Sequence, residues 1–291
     1  MSDVLRVEGL RKRFGRHEVL ADLGFALEAG RVHGLLGRNG EGKTTLARIL
    51  LGIIPKDGGR VTFRGRDIAF ADASYKQAIG LVPEDPFFYE ALSVGELIRF
   101  NATFFPRWNA GQAADALAAF GLEPKSRIRQ LSRGQKLKLE LTVALAAEPE
   151  LLVLDDPTSG LDVPTRQDVL KGVIRNLADA GTTVLFATHM VHELERIVDR
   201  LFILHGGRLV LDEDYERVKA AARSVRLTFA DGPPEGLTIP GSRQIRVDGR
   251  TVEAVVHPWD AASDAAVRTC GAQHVDIATL SLEDIFVSFV S

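Results

Sequence analysis

A glycine-rich stretch at residues 37–45 restricts the possible folds of this chain more than any other feature of the sequence. It reads G-R-N-G-E-G-K-T-T and fits the phosphate-binding loop pattern G-x-x-x-x-G-K-[ST]. Residues 32–36 before it are mostly apolar and typical of a buried strand, and residues 46–51 after it are typical of a helix. Since strand, glycine loop and helix are the context that this motif requires, we favour a phosphate-binding loop over a glycine-rich turn that binds nothing.

The chemistry of such a loop follows from its backbone. Glycines allow the chain to wrap a phosphate with its N–H groups pointing inward, and the N-terminus of the following helix adds partial positive charge. Lys43 can reach the β- and γ-phosphates, and the hydroxyl of Thr44 can bind Mg²⁺. The loop residues that we expect to contact a nucleotide are Gly37, Asn39, Gly40, Gly42, Lys43, Thr44 and Thr45.

Composition excludes several other classes of protein. The net charge of −3, with no basic tail, is not the electrostatic pattern of a nucleic-acid-binding protein. The single cysteine, Cys270, excludes an internal disulfide and favours a reducing, cytosolic setting. No apolar run approaches the roughly 20 residues that span a bilayer, and the first residues lack the layout of a signal peptide. We therefore expect a chain that does not cross a membrane by itself, although it can dock on a protein that does.

Two carboxylates end a second apolar run, at residues 151–156. Continuous apolar runs are typical of parallel strands buried on both faces, and the carboxyl ends of such strands are where α/β sheets bind ligands. Asp155 is therefore placed to hold Mg²⁺, directly or through water, and Asp156 to orient or deprotonate an attacking water. The alternative is a pair of helix-capping aspartates. The next residues predict a tight loop at 157–162 and a helix beginning at Pro164.

Two ring side chains have both a structural and a functional interpretation. His189 follows a predicted buried strand at residues 182–187, at the same edge of the sheet as the two aspartates, and is either structural or part of the site. Phe14 lies among basic residues on a loop ahead of the phosphate loop. It either stacks on a base or belongs to a small core.

The rest of the pattern predicts how the chain is divided. Residues 4–28 have the alternation of short antiparallel strands separated by turns at Gly9, Gly15 and Gly24. The segment from about 87 to 148 is mostly helical: a capping box predicts a helix start at Ser93, the spacing predicts a helix over 109–121, and another over 136–147. A hairpin is expected at 201–211. A shift in composition near 221 predicts two domains, 1–220 and a small α+β domain at 221–291.

Taken together, the phosphate loop, the segments L-S-R-G-Q at 131–135 and L-L-V-L-D-D-P-T-S-G-L-D at 151–162, and His189 resemble the ATP-binding cassette (ABC) ATPases. The resemblance covers about residues 4–215. It implies an α/β P-loop fold with a mixed central sheet, an antiparallel β subdomain and a helical subdomain, to which the C-terminal α+β unit is added. It also implies ATP and Mg²⁺ as ligands and ATP hydrolysis as the reaction.

The resemblance further implies a role for each site residue. Two cassettes would enclose two ATP molecules head to tail, as a homodimer or a heterodimer. Phe14 would stack on adenine, His189 would contact the γ-phosphate, and Glu84 stands where the family has a glutamine that meets Mg²⁺ or water. The residues that would act on the partner cassette's site are Ser132, Gly134, Gln135 and Asp162. Thr44, Asp155 and Glu84 would form the metal site.

The sequence departs from the family pattern at three of these positions. Glu84 replaces the glutamine and can still bind Mg²⁺ or water. Arg133 replaces the first glycine of the 131–135 motif and either adds charge to the phosphate site or points away from it. Asp156 replaces the usual catalytic glutamate, and its side chain is shorter by about 1.5 Å. Since misplacing a catalytic group by that much can cost on the order of a hundredfold, we expect slow but real turnover.

The single cassette and the segment 281–286 resemble bacterial exporter ATPases whose permease is a separate polypeptide, and the segment 104–109 is similar to small antibiotic-response members. Such a subunit would lie on the cytoplasmic face of the cell membrane. Phe87, Phe88 and Tyr89 are either a docking patch for the permease or core of the helical subdomain. Two alternatives remain: a cassette that acts on ribosomes or nucleic acid, and a nearly inactive ATP-responsive regulatory module.

Overall fold

The computed structural model describes residues 3–70, 72, 74–159, 161, 166, 174, 176–179 and 181–291. Asp162 and the helix predicted to begin at Pro164 lie outside the described residues. The strands are β1 Asp3–Phe14, β2 His17–Glu28, β3 Val32–Leu36, β4 Gly58–Phe63, β5 Arg66–Asp67, β6 Ile79–Val82, β7 Leu151–Asp155, β8 Thr183–Thr188, β9 Arg200–His205, β10 Arg208–Asp214, β11 Arg223–Thr228, β12 Ser242–Asp248, β13 Thr251–Val256 and β14 His274–Thr279. The helices are α1 Lys43–Leu50, α2 Val94–Ala102, α3 Ala110–Ala119, α4 Arg133–Ala146, α5 Asn176–Asp179, α6 Val191–Leu194, α7 Tyr215–Ala221, α8 Ala261–Thr269 and α9 Leu282–Val290.

The central sheet has the strand order β10-β9-β3-β8-β7-β6 within the described residues. Strand β3 lies parallel to β8 and β9, β7 lies parallel to β6 and β8, and β10 turns back antiparallel on β9, so the sheet is mixed as predicted. Every residue of β3, β7 and β8 is buried, because α-helices and the second sheet cover the two faces. The carboxyl ends of these three strands therefore meet at one edge, where the phosphate loop, the two aspartates and His189 follow.

A second, antiparallel sheet has the order β2-β1-β4-β5. We predicted short strands separated by turns at Gly9 and Gly24, and this was wrong: β1 and β2 are continuous strands of 12 residues each. The pairing of the two strands shifts register between Val7 and Leu10, where Gly9 has a φ of +60°. A glycine inside a strand accommodates such a bulge without ending the strand, so only Gly15 lies in the turn itself.

The helical segment packs around a small core of its own, which includes Phe88, Leu97, Leu117 and Leu139. The predicted capping box at Ser93 is present, with the Glu96 N–H donating to Oγ and the Ser93 N–H donating to the Glu96 carboxylate. Helix α4 begins at Arg133, three residues earlier than predicted, because Ser132 is its N-cap.

The C-terminal segment forms a third sheet of order β12-β13-β11-β14, covered by α8, with its own core that includes Val225, Val252 and Val267. Helix α9 does not belong to that core. Its residues Leu282, Ile285 and Phe286 pack in the main core beneath the central sheet. The division of the chain near residue 220 stays a prediction. In the described part of the chain, no helix is both long enough and apolar enough to span a bilayer.

Candidate nucleotide-binding site

The glycine loop between β3 and α1 has the backbone that the motif requires. Gly40 and Gly42 have φ values of +85° and +104°, in the left-handed region where side chains are rarely tolerated. Gly42 is the N-cap of α1, and a Cβ there would stand 2.8 Å from Leu20 Cδ2 and 3.1 Å from the carbonyl oxygen of Val19. The loop therefore lies directly against β2, so the antiparallel sheet forms one wall of the site.

Lys43 is buried, and its ammonium group lies above the loop. Its Nζ donates to the carbonyl of Gly37 at 2.9 Å and to that of Arg38 at 3.4 Å, and lies 3.6 Å from Asp156 Oδ2. A buried ammonium group needs such hydrogen-bond acceptors. Phosphate oxygens are acceptors of the same kind, so a bound phosphate can take the place of these groups or add to them. The loop thus presents a fixed positive charge beside the N-terminus of α1.

Asp155 ends β7 in a buried position, with its Oδ1 lacking any hydrogen-bond partner among the described residues. Burial raises the pKa of Asp155 above its usual value, while a hydrogen bond with Thr44 acts in the opposite direction. An orphaned carboxylate oxygen beside a threonine hydroxyl fits a hard cation with oxygen ligands. The described residues hold no group of three or more His, Cys, Asp or Glu side chains suited to a metal. Asp155 and Thr44 therefore fit a cation that takes its other ligands from phosphate oxygens and water. Mg²⁺ is commonly bound in this way.

Glu84 lies in the exposed loop after β6. Strand β6 lies parallel to β7 with Val82 opposite Leu154, so the loop that carries Glu84 leaves the sheet beside Asp155. Burial raises the pKa of Asp155 most, and the charge of Glu84 adds a smaller effect in the same direction. The structure thus brings Glu84 to the same edge of the sheet as Asp155, and a cation placed there would relieve the repulsion between them.

Asp156 and His189 follow neighbouring strands and contact each other. Asp156 Oδ1 accepts a hydrogen bond from the backbone N–H of His189 at 3.1 Å, and it lies 2.9 Å from the ring Nδ1. The backbone N–H of Asp156 donates to Ala187 at 2.8 Å. Asp156 has a φ of +44°, a conformation that a non-glycine residue adopts rarely and that aspartate tolerates better than most. The contacts of this carboxylate with Lys43 and His189 favour the site interpretation over the helix-capping one.

The phosphate loop has one anchor that sequence reasoning missed. Glu41 Oε2 accepts a hydrogen bond from the backbone N–H of Gly206 at 2.6 Å, and Oε1 lies 3.1 Å from His205 Nδ1. These residues form the turn between β9 and β10, 164 residues away in sequence. The sequence did contain a signal for this contact, namely a carboxylate within an anion-binding loop. Such a carboxylate must point away from the anion and find hydrogen-bond donors elsewhere.

Phe14 is 52% exposed, so the small-core interpretation is wrong. Lys12 Nζ lies 5.2 Å from the ring centroid. Asp57 fixes this lysine at 3.0 Å and also accepts from the backbone N–H of Arg13 at 2.7 Å. The ammonium group of Lys12 therefore lies near one part of the Phe14 ring, and the rest of the ring stays available for stacking.

The segment 131–135 forms a separate part of the surface. Ser132 Oγ accepts from the Gln135 N–H at 3.2 Å, and Gln135 Oε1 accepts from the Ser132 N–H at 2.9 Å, so the two side chains cap α4. Gly134 lies in the first turn of that helix. Arg133 is half exposed and its guanidinium lies 3.4 Å from Asp85, in the loop that holds Glu84. Among the described contacts, none joins this segment to the phosphate loop of the same chain.

Comparison with known proteins matches residues 20–159 to the family described as ABC transporter. The chain is 34% identical over 232 residues to the daunorubicin resistance ATP-binding protein DrrA3 of Streptomyces coeruleorubidus, covering 77% of this chain and 72% of that one. It is 32% identical over 257 residues to the Nod factor export ATP-binding protein I of Rhizobium sp. (strain N33), covering 84% and 83%. A solved ATP-binding subunit of an ABC transporter superposes with a TM-score of 0.68 at 26% identity, over 75% of this chain and 92% of that one.

Proposed function

This chain belongs to the ABC transporter family of ATP-binding proteins, and we propose that it drives export through a membrane permease made as a separate polypeptide. It binds ATP and hydrolyses it, which is the activity of the family. The observation that supports ATP hydrolysis at this site is the contact of Lys43 and His189 with a single carboxylate, Asp156, beside the glycine loop. In our proposal, this ammonium group, carboxylate and histidine face the γ-phosphate of a bound ATP.

The phosphate loop holds the nucleotide by its phosphates. The N–H groups of residues 37–45 and the ammonium group of Lys43 neutralise phosphate charge, and Phe14 stacks on the adenine. Asp155 and Thr44 would hold Mg²⁺, with Glu84 as a further carboxylate at the same edge of the sheet. When bound, Mg²⁺ neutralises charge on the phosphate oxygens.

Hydrolysis requires a group that orients water and accepts its proton. Asp156 is that group in our proposal, because its carboxylate is buried beside Lys43 and faces His189. The hydrogen bond from the backbone of His189 fixes one carboxylate oxygen, so the other oxygen, which lies 3.6 Å from Lys43, is available at the phosphate end. His189 then senses the γ-phosphate from the opposite side of the carboxylate.

A second cassette completes the site in this proposal. Ser132, which is exposed, and the half-buried Gly134 and Gln135 would face the ATP of the partner across the N-terminus of α4. The family resemblance gives Asp162 a role at the same interface. ATP shifts the equilibrium between the open and the closed dimer toward the closed one, because it binds the closed dimer more tightly. Arg133 forms an ion pair with Asp85 of the same chain, at 3.4 Å.

A surface of exposed aromatic side chains supports the permease as partner. Phe87, Tyr89, Phe100 and Phe104 are 88%, 59%, 44% and 55% exposed. Their rings contact edge to face, with centroids 6.1, 6.0 and 5.1 Å apart in succession. Phe88, between the first two, is instead buried in the helical core and anchors the loop. Exposed apolar surface of this kind marks a docking site. Phe87 and Tyr89 lie on the loop that carries Glu84, Phe100 lies in α2, and Phe104 follows that helix. We place the chain accordingly on the cytoplasmic face of the membrane.

The relatives named for daunorubicin resistance and for Nod factor export support export as the direction of transport. The test is recovery of the tagged chain from solubilised native membranes after trapping with Mg·ATP and vanadate. We expect a membrane protein with several spans in stoichiometric amount, and its loss when Phe87 and Tyr89 are both replaced by serine. Recovery of ribosomes, nucleic acid or soluble partners in its place would contradict the proposal.

A further inference from the structure

Glu193 is a fully buried carboxylate in α6, four residues after His189, and lies outside the nucleotide site described above. Its side chain is 0% exposed. A carboxylate in that position requires partners, because an isolated charge in a protein interior is strongly unfavourable.

Three side chains from different segments supply them. Thr158 Oγ1 donates a short hydrogen bond to Glu193 Oε1, and Thr188 Oγ1 donates to Oε2 at 3.1 Å. Arg166 Nε lies 3.4 Å from Oε1 and forms the ion pair. Both oxygens are therefore occupied, one by each threonine, with the guanidinium beside the first.

Each of these partners is attached to a segment of the candidate site. Thr158 lies two residues after Asp156, in the loop that leads to Asp162. Thr188 directly precedes His189, and its carbonyl accepts the N–H of Gly37 at 3.4 Å.

Arg166 extends the same connection further along the chain. Its Nη2 donates to the carbonyl of Leu161 at 3.0 Å. One carboxylate thus connects the loop after Asp156 to the backbone that carries His189.

We propose that Glu193 is a positioning residue that couples the loop at 157–161 to the Asp156–His189 pair, so that a displacement of one changes the geometry of the other. The inference rests on the proposed function, in which that loop meets the second cassette. Through Glu193, the arrival of the partner would adjust the distance between the base and the histidine. Since the side-chain partners of the carboxylate are Thr158, Thr188 and Arg166 rather than residues of the phosphate loop, it should affect turnover and the cooperativity of ATP more than ATP binding.

Glu193→Gln tests this in the complex of the full chain with its permease. The glutamine keeps the size of the side chain and can accept one threonine hydrogen bond, but its NH₂ group cannot accept the other and cannot pair with Arg166. The matched control is Glu195→Gln, the same change two residues further on, where the carboxylate accepts only the N–H of Leu282 from α9 among the described contacts. The measurements are kcat, the Hill coefficient for ATP, the Kd of ATP and the midpoint of thermal unfolding.

We expect Glu193→Gln to lower kcat by about tenfold or more and to reduce the Hill coefficient, with the Kd of ATP within about twofold of the wild-type value. Glu195→Gln should leave all of these unchanged. If Glu193→Gln fails to fold, Thr158→Val removes a hydroxyl whose one hydrogen bond among the described contacts is to Glu193, and kcat should fall about fivefold at unchanged Kd.

A kcat within about twofold of wild type in the folded variants would overturn the inference. A parallel loss of kcat, ATP affinity and thermal stability would also overturn it, since it would assign Glu193 a purely structural role. Absence of hydrolysis by the wild-type complex would instead overturn the proposed function, and the inference with it.

Discussion

Asp156 Oδ1 lies 3.1 Å from the backbone nitrogen of His189 and 2.9 Å from its ring Nδ1, so one carboxylate oxygen contacts the histidine twice. The two residues follow β7 and β8, which are parallel neighbours in the central sheet. The sheet therefore brings the two residues together at one edge, each directly after the end of its strand. The contact therefore joins two residues that the sequence places at neighbouring strand ends.

Phe14→Ala should weaken ATP binding by about tenfold, because stacking of a base on an aromatic ring contributes about 1–3 kcal/mol. The Kd of ATP measured by equilibrium binding is the readout, and Phe14→Trp should restore it. Phe70→Ala is the matched control: Phe70 is also 52% exposed and also has a lysine ammonium group near its ring. An equal effect of the two alanine variants would show that Phe14 does not stack on the base.

Glu41→Gln should raise the Kd of ATP by about tenfold, because it weakens charge-assisted hydrogen bonds worth about 1.5–3 kcal/mol each that hold the phosphate loop against the β9–β10 turn. Glu253→Gln, in an exposed ion pair with Arg226 on the C-terminal sheet, is the control. Unchanged affinity in Glu41→Gln would mean that the loop keeps its conformation without this anchor.

His33 makes the fold sensitive to acid. It is fully buried in β3, its Nε2 accepts the N–H of Glu28, and burial lowers its pKa to about 4. Between about pH 6.5 and 4 the unfolded chain binds the proton that the folded chain excludes, so stability rises with pH and is lost as the pH falls through this window. The loss is on the order of 3 kcal/mol.

Unfolding free energy measured from pH 7 to pH 4 tests this, with His33→Leu compared with His274→Leu at an exposed position of β14. The dependence on pH should flatten in the first variant and persist in the second. An equally steep dependence in both would assign the acid sensitivity to other groups.

Asp156→Glu should raise kcat by about tenfold if chain length limits the position of the base. The same change should lower the midpoint of thermal unfolding, because a φ of +44° is less favourable for glutamate than for aspartate. Both quantities can be measured on one preparation. A kcat that stays level or falls would show that the left-handed backbone already brings the aspartate to the required position.

The sequence was sufficient for those parts of the site that each follow a buried strand. The glycine loop, Asp155, Asp156 and His189 all stand at strand ends, and parallel strands bring their ends to one edge of the sheet. The sequence was also sufficient for the capped helices. Ser93 and Asn109 each accept a hydrogen bond from a backbone N–H three residues later, so the contact is local in sequence.

The contacts that sequence reasoning missed join distant segments. Glu41 meets His205 only because the β9–β10 turn folds back over the loop, and Glu193 meets Thr158 only because β7 and β8 are neighbours. The two long strands at the start were missed for a different reason: glycines that usually mark turns here accommodate bulges.

The most direct test of the account is the rate of MgATP hydrolysis by the chain with its permease, compared with Asp156→Asn. Asparagine keeps the size of the side chain and can still accept the N–H of His189, but it cannot take a proton from water. The account predicts slow, measurable hydrolysis by the wild-type chain and a rate lower by about a hundredfold or more in the variant, with ATP binding retained. Equal rates in the two proteins would contradict it.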